Sequence, residues 1–156
     1  MTRFAIALLG ACALALTQAP GALALIQLDR GIAGARIGNT KAQVKAALGK
    51  PQKSRAGQND FGRFVQYTYA GGITVTFQGE ERVSSIVTTG LGDRTSSGIG
   101  VGSPEDAVKN ISGIRCENIG STRSCHTGRL VSGRKVTDFR IADGKVTSVF
   151  VGQVLD

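Results

Sequence analysis

Gly34-Ala35-Arg36-Ile37-Gly38-Asn39-Thr40-Lys41-Ala42-Gln43-Val44-Lys45 is answered by Gly98-Ile99-Gly100-Val101-Gly102-Ser103-Pro104-Glu105-Asp106-Ala107-Val108-Lys109. The offset is constant from Gly34/Gly98 through Gly38/Gly102, Val44/Val108 and Lys45/Lys109 to Gly49/Gly113. Self-similarity at a fixed period marks a repeated supersecondary unit. Each copy opens with a helix signal. Ser103 can cap and Pro104 sits where a first-turn N–H has no partner to lose. Glu105 and Asp106 suit the positive end of the helix dipole. In the first copy Asn39 holds the capping place, and Thr40 to Gln43 offers a capping box one residue later. Gly49 and Gly113 end the helices, and Pro51 blocks a restart.

Strands follow each helix. Phe64–Ala70 and Ile73–Gln78 alternate apolar and polar residues around Gly71-Gly72, with Arg82–Thr89 as a third strand. In the second copy Ser124–Val131, Lys135–Ala142 and Lys145–Val151 read as strands, the last two joined by Asp143-Gly144. Lys50 to Gly62 reads as a polar loop, and Cys116 to Cys125 occupies the corresponding place. The expected fold class is therefore α+β: two tandem αβββ units, each a helix packed on an antiparallel sheet. The expected divisions are 1–24 as a leader, 25–90 as the first unit, 91–97 as a Gly/Ser-rich linker and 98–156 as the second unit.

The leader reads as a secretory signal. Met1-Thr2-Arg3 is positive, Phe4 to Leu16 is uncharged and rich in Ala and Leu, and Ala22-Leu23-Ala24 offers small residues for a cut after Ala24. The apolar run is too short to span a bilayer, which takes about 20 residues. Lipidation at Cys12 is a second reading, opposed by the apolar residues that follow it. The expected localisation is secreted or periplasmic, with no transmembrane segment after cleavage. Removing Cys12 leaves Cys116 and Cys125, an even count in an oxidising space, so the pair reads as a structural disulfide. Metal ligation with His126 needs a third or fourth ligand that no second cluster supplies.

The formal net charge is +8, with 19 Lys and Arg against 11 Asp and Glu. A basic surface attracts polyanions, and for an exported chain nucleic acid ranks last among them. No G-x-S-x-G, HExxH or phosphate-loop motif occurs. Gly98-x-Gly100-x-Gly102 precedes a helix, but Gly34 and Gly38 at matching places assign these glycines to the repeat. His126 reads as a strand residue and the sparse carboxylates as turn and helix-start residues. No catalytic residue, metal site or cofactor is expected, and the chain reads as non-enzymatic. Tyrosine tolerates a half-exposed sheet surface and is common at binding hot spots. Tyr67 and Tyr69, with basic Arg129 and Arg140, are the candidate contacts.

The string Ile37-Gly38-Asn39-Thr40-Lys41-Ala42-Gln43-Val44-Lys45-Ala46-Ala47-Leu48-Gly49-Lys50-Pro51 resembles the opening of the SmpA/OmlA superfamily, Gly-Met-Thr/Ser-x-x-x-Val-x-x-x-Leu-Gly-x-Pro followed by a meander. That superfamily includes the small lipoprotein of the outer-membrane barrel-assembly machine. The duplication in an exported chain is similar to the β-lactamase inhibitor protein family, where two such units form a concave protein-binding face. The resemblance implies a general binding role and carries over no inhibitory residue. The expected function is an exported module for protein–protein recognition through its sheet surface. The alternative is an envelope structural protein associating with anionic cell-wall polymer; a small enzyme or a β-lactamase inhibitor ranks lower.

Overall fold

The computed structural model describes residues 25–79 and 81–155; the expected leader and its cut after Ala24 lie outside the described residues. The chain begins with three short strands, β1 (Ile26–Gln27), β2 (Gly31–Ile32) and β3 (Ala35–Arg36), paired in that order as a small antiparallel sheet. Helix α1 (Lys41–Leu48) precedes β4 (Lys53–Asn59), β5 (Gly62–Thr68), a 3-10 turn at Ala70–Gly72, β6 (Ile73–Gln78) and β7 (Ser85–Thr88). Helix α2 (Glu105–Lys109) precedes β8 (Ile114–Ile119), β9 (Thr122–Thr127), β10 (Lys135–Ala142) and β11 (Lys145–Gln153).

The expectation of two helix-on-sheet units is overturned. The protein is mostly β, and β4 to β11 form one eight-stranded antiparallel sheet in the order β4-β5-β6-β7-β11-β10-β9-β8. Two physical causes separate this from the expectation. The first is that each half contributes four strands instead of three. The supposed loops after the helices are strands β4 and β8, and both lie at sheet edges. KSRAGQN is exposed along nearly its whole length and carries no period-2 signal, and in IRCENI only Ile114 and Cys116 turn toward the core, too short an alternation to announce a strand. The second is that β7 pairs with β11 through Thr88↔Val149, Val87↔Phe150, Ile86↔Val151 and Ser85↔Gly152, which fuses the halves.

The repeated glycines do matching work. Gly38 and Gly102 both hold φ of +87°, a left-handed conformation that glycine adopts without a Cβ clash. Gly38 N–H donates to the Val83 carbonyl and Val83 N–H returns to Asn39. Gly102 N–H donates to the Val146 carbonyl and Val146 N–H returns to Ser103. Each helix is thereby pinned to the strand region that closes its own half. Thr40 caps α1 in a capping box with Gln43: the Gln43 N–H donates to Thr40 Oγ1 (3.3 Å) and the Thr40 N–H to Gln43 Oε1 (2.9 Å). At α2 the expected Ser103 cap does not form. Pro104 takes the capping position, and the Ser103 hydroxyl accepts instead from Gly100 N–H (3.1 Å) and Arg94 (3.0 Å).

The helices and the small sheet cover one face of the large sheet. Val44 and Val108 are each fully buried and join a core of Ile26, Ile32, Val75, Phe77, Ile86, Phe139, Val149 and Val151. The segment expected as a linker is tied down: Ile26 N–H donates to the Arg94 carbonyl (2.7 Å), and Asp93 and Thr95 are each 6% exposed. The Asp29 carboxylate accepts from the Thr127 and Thr137 hydroxyls, which fastens the β1–β2 turn to the second half. The Cys116–Cys125 disulfide is present, joining residues directly opposite on the β8–β9 hairpin.

Two outcomes follow from this packing. Gly38→Ala and Gly102→Ala should each lower stability by roughly 1–2 kcal/mol, since both force a side chain into left-handed backbone; urea unfolding with an unchanged slope is the measurement. Reducing the disulfide should cost about 2–3 kcal/mol in the chain-entropy account, read as a lower unfolding midpoint with thiol than without.

Candidate functional site

Alternation along each strand sends neighbouring side chains to opposite faces, and the register fixes which residues share a face. Tyr67, Val75, Ile86, Val151 and Phe139 point to the covered side. The outer side carries Arg55, Gln66, Thr76 and Ser85 in the first half and His126, Asp138, Ser124 and Arg140 in the second. Among the described residues, the helices and the small sheet join the core from the covered side only. A purely antiparallel sheet supports this arrangement, with one face packed and one face open to solvent.

The four candidate contacts separate accordingly. Tyr67 and Tyr69 are 7% and 5% exposed and belong to the core. The Tyr67 ring meets Phe77 edge-on at 5.0 Å, and Lys45 Nζ lies 5.5 Å from its centroid. The Tyr69 hydroxyl has no hydrogen-bond partner among the described residues, and burial first, then Tyr67, pushes its phenol above the ordinary range. Arg129 is exposed in the loop after β9, away from regular structure. Arg140 alone of the four stands on the open sheet face, in β10.

Around Arg140 the second half gathers a polar cluster that the sequence left unassigned. Cys125 faces inward to its disulfide, so its neighbours Ser124 and His126 must face outward. Both are nonetheless buried, at 1% and 2% exposure, because side chains of β8 and β10 close over them. His126 Nε2 lies 2.8 Å from Glu117 Oε1. Ser124 Oγ donates to Asp138 Oδ1, and Arg140 Nε stands 3.9 Å from Asp138 Oδ2. Burial raises the Asp138 carboxyl above its usual range; the Ser124 hydrogen bond and the Arg140 charge oppose that rise in part. Ser124 bonds to the carboxylate and His126 to a different one, so the groups do not form a nucleophile–base pair. The arrangement instead presents the Arg140 guanidinium to solvent above a largely buried carboxylate and hydroxyl.

A second polar grouping has a structural role. Arg123 Nη2 and Lys109 Nζ reach Glu105 Oε1 at 2.6 and 3.3 Å, on the covered side next to the disulfide. Arg123 foremost, with Lys109, holds the Glu105 carboxyl below its ordinary range. Glu105 lies close to both cysteine sulfurs, but those sulfurs are spent on each other and offer no thiolate to a metal.

No protein-family model matches the chain, and no curated protein does. Three solved structures are similar in fold. An uncharacterized protein, yfeY of Escherichia coli, aligns with a TM-score of 0.51 at 14% identity over 80% of this chain and 97% of that one. An extracellular protein containing an SCP domain from Bacillus anthracis gives 0.49 at 13% identity, over 75% of this chain; this chain spans 44% of that protein's length. A DUF4309 family protein, YjgB of Bacillus subtilis, gives 0.44 at 22% identity over 74% of this chain and 78% of that one. None of the three is described as SmpA/OmlA-like. Among the described residues no helix is long and apolar enough to cross a membrane.

The core placement of the tyrosines and the buried carboxylate give two measurable outcomes. Tyr67→Ala should cost about 3–5 kcal/mol, whereas Tyr69→Phe should stabilise by up to about 1–3 kcal/mol, because it removes a buried hydroxyl with no partner. For Asp138 the folded-state pKa is raised, so the native state binds more protons than the unfolded chain between the two values. Its contribution to stability is therefore best below the ordinary carboxylate range and declines as pH rises through that range to the raised value. Asp138→Asn should flatten that part of the stability–pH curve and raise the urea midpoint near neutral pH.

Proposed function

We propose that the chain is an exported, non-enzymatic recognition module whose open sheet face binds an acidic protein surface. The observation that carries this reading is the one-sided cover: the helices and the small sheet pack on one face of an eight-stranded sheet, and the other face sets polar and basic side chains around half-buried Val87 and Phe150 on a stiff backbone. Side chains on a continuous sheet lose little further freedom on binding, which lowers the ordering cost of association. The charge supports an acidic partner. Lys53, Arg55, Arg115 and Arg140 are exposed on or beside this face, four cations against the two acids Glu117 and Asp138. Complementary potentials of this kind speed encounter and fix orientation.

Export is supported by the sequence of the first 24 residues and by a disulfide, which persists in oxidising compartments. The likeness of residues 37–51 to the SmpA/OmlA superfamily points to the same kind of envelope-associated binding role. Anionic wall polymer is the competing partner, since the same cations would attract it, and the experiment separates the two.

A photo-crosslinking side chain placed at Thr76, central on the open face, should yield a discrete polypeptide adduct in the native envelope. The same group at Ala46, on the exposed side of α1, should not. Arg55→Glu with Arg140→Glu should lower the Thr76 adduct yield by about tenfold. A polymer ladder in place of a discrete band, or equal adducts from both positions, would overturn the reading.

A further inference from the structure

The strand registers bring turns of both halves to one end of the large sheet. Asn59↔Gly62, Phe64↔Gln78, Thr76↔Ser85, Ser85↔Gly152, Lys135↔Gln153 and Asp138↔His126 run across it in order. The β4–β5 turn, the β6–β7 connection, the β9–β10 loop and the segment after β11 therefore project from the same end. This end carries Phe61, Leu130, Val131 and Leu155, each 40% or more exposed. Among the described residues, the other strongly exposed large apolar side chains are Leu25, Leu91 and Ile119, and they lie elsewhere. A surface leucine standing singly is ordinary; apolar side chains gathered on adjoining turns mark a contact.

These turns are held in place. Gln78 Nε2 donates to the Phe61 carbonyl (2.9 Å). Gly133 N–H donates to the Val154 carbonyl (2.9 Å) and Val154 N–H to the Arg134 carbonyl (2.8 Å), which ties the β9–β10 loop to the segment after β11. Between the two lies a shallow hollow of about 320 Å³, whose lining includes Gln78, Arg82, Lys135 and Leu155. Phe61 on one side and Val131 with Leu155 on the other thus share one surface. Cations are interleaved with the apolar tips. Every residue from Gly128 to Lys135 is exposed, so Leu130 and Val131 stand between Arg129 and the Arg134-Lys135 pair. Arg82 is steadied by donating from Nη1 to the Gly38 carbonyl (3.0 Å). Against Arg82, Arg129, Arg134 and Lys135, the described acids of these turns are Asp60 and Glu81.

We propose that this end of the sheet docks on an anionic phospholipid bilayer. Phe61, Leu130, Val131 and Leu155 enter the interface, and the four cations lie among the headgroups. Apolar burial and attraction to anionic lipid add together in interfacial binding, and this end offers both. An acidic protein surface would match the cations but would need a shaped hollow for each apolar tip, whereas a bilayer interface yields around them. With the strands standing on end, the open sheet face points along the membrane and stays available. The contact therefore goes beyond the recognition reading and does not rest on it.

The test mixes the protein from Leu25 onward with vesicles of equal parts phosphatidylserine and phosphatidylcholine, and with phosphatidylcholine alone, and measures the bound fraction by sedimentation. Binding to the anionic vesicles should be at least about tenfold tighter. Phe61→Ser and Val131→Ser should each weaken it about tenfold, and Arg129→Ser with Arg134→Ser about thirtyfold. Leu91→Ser with Lys50→Ser removes like side chains at the opposite end and should change it by less than about twofold. The chain has no tryptophan, so Val131→Trp places a sole indole at the contact. Its emission should move to shorter wavelength on anionic vesicles and be quenched by brominated acyl chains. Failure to bind anionic vesicles, or equal loss from the Leu91 and Lys50 changes, overturns the assignment. So does binding that leaves the indole unshifted and unquenched, which is the purely electrostatic contact that an acidic protein surface would also make.

Discussion

The hydrogen bonds between β7 and β11 join two four-stranded halves into one sheet, and every other feature of the molecule is arranged around that seam. β7 is the shortest strand of the large sheet, yet its side chains are spent on the join. Ile86 and Val151 are fully buried opposite each other on the covered face, while Val87 and Phe150 meet on the outer one. At the end of β7, the Thr88 hydroxyl donates to Asp93, whose carboxyl is raised above its ordinary range by burial. The seam and the crossover to the second half are thus stabilised together. Without the seam, each half would expose an additional unpaired edge and lose the shared core.

Placing all apolar cover on one side has a cost and a use. The covered face of all eight strands is served by two short helices and a small sheet, so that side must be densely apolar. Long basic side chains help: Lys41 and Lys45 of α1 lay their stems across the sheet and bring their ammonium groups to 5.9 and 5.5 Å from the Phe77 and Tyr67 rings. The outer side buries less: Phe64 and Val136 are its buried apolar residues, and Val87 and Phe150 stay half-buried. Its polar residues are held at fixed spacing by the strand register and not by their own packing, which is what a docking platform requires.

The sequence carried some of this plainly and hid the rest for identifiable reasons. The helices were legible in part because their boundaries are written in chemistry: a Thr–Gln capping box and Gly49 bound α1, and acidic residues mark the first turn of α2, which ends at Asn110 and short of the expected Gly113. The cysteine pairing followed from count and compartment. Tyr67 and Tyr69 were correctly grouped on one face by alternation, but alternation does not say which face is covered. That is decided by where α1 lands, a long-range fact. β4 was missed because a strand solvated on both sides need not alternate, and β8 because only Ile114 and Cys116 turn inward, too few to mark a strand. The Ser124–Asp138 and His126–Glu117 pairs were hidden most deeply, because they form only when strand pairing brings β8, β9 and β10 side by side.

The two edge strands set a limit on how far the sheet can grow. β4 and β8 end it on either side, β4 exposed along nearly its whole length and β8 exposed at Arg115 and from Glu117 onward. Lys53 and Arg55 line one margin and Arg115 and Glu117 the other, so a further strand would have to desolvate charges to add itself. The molecule therefore has a fixed width: crowded among its own copies, it resists lateral stacking into fibrils while its broad flat side stays free.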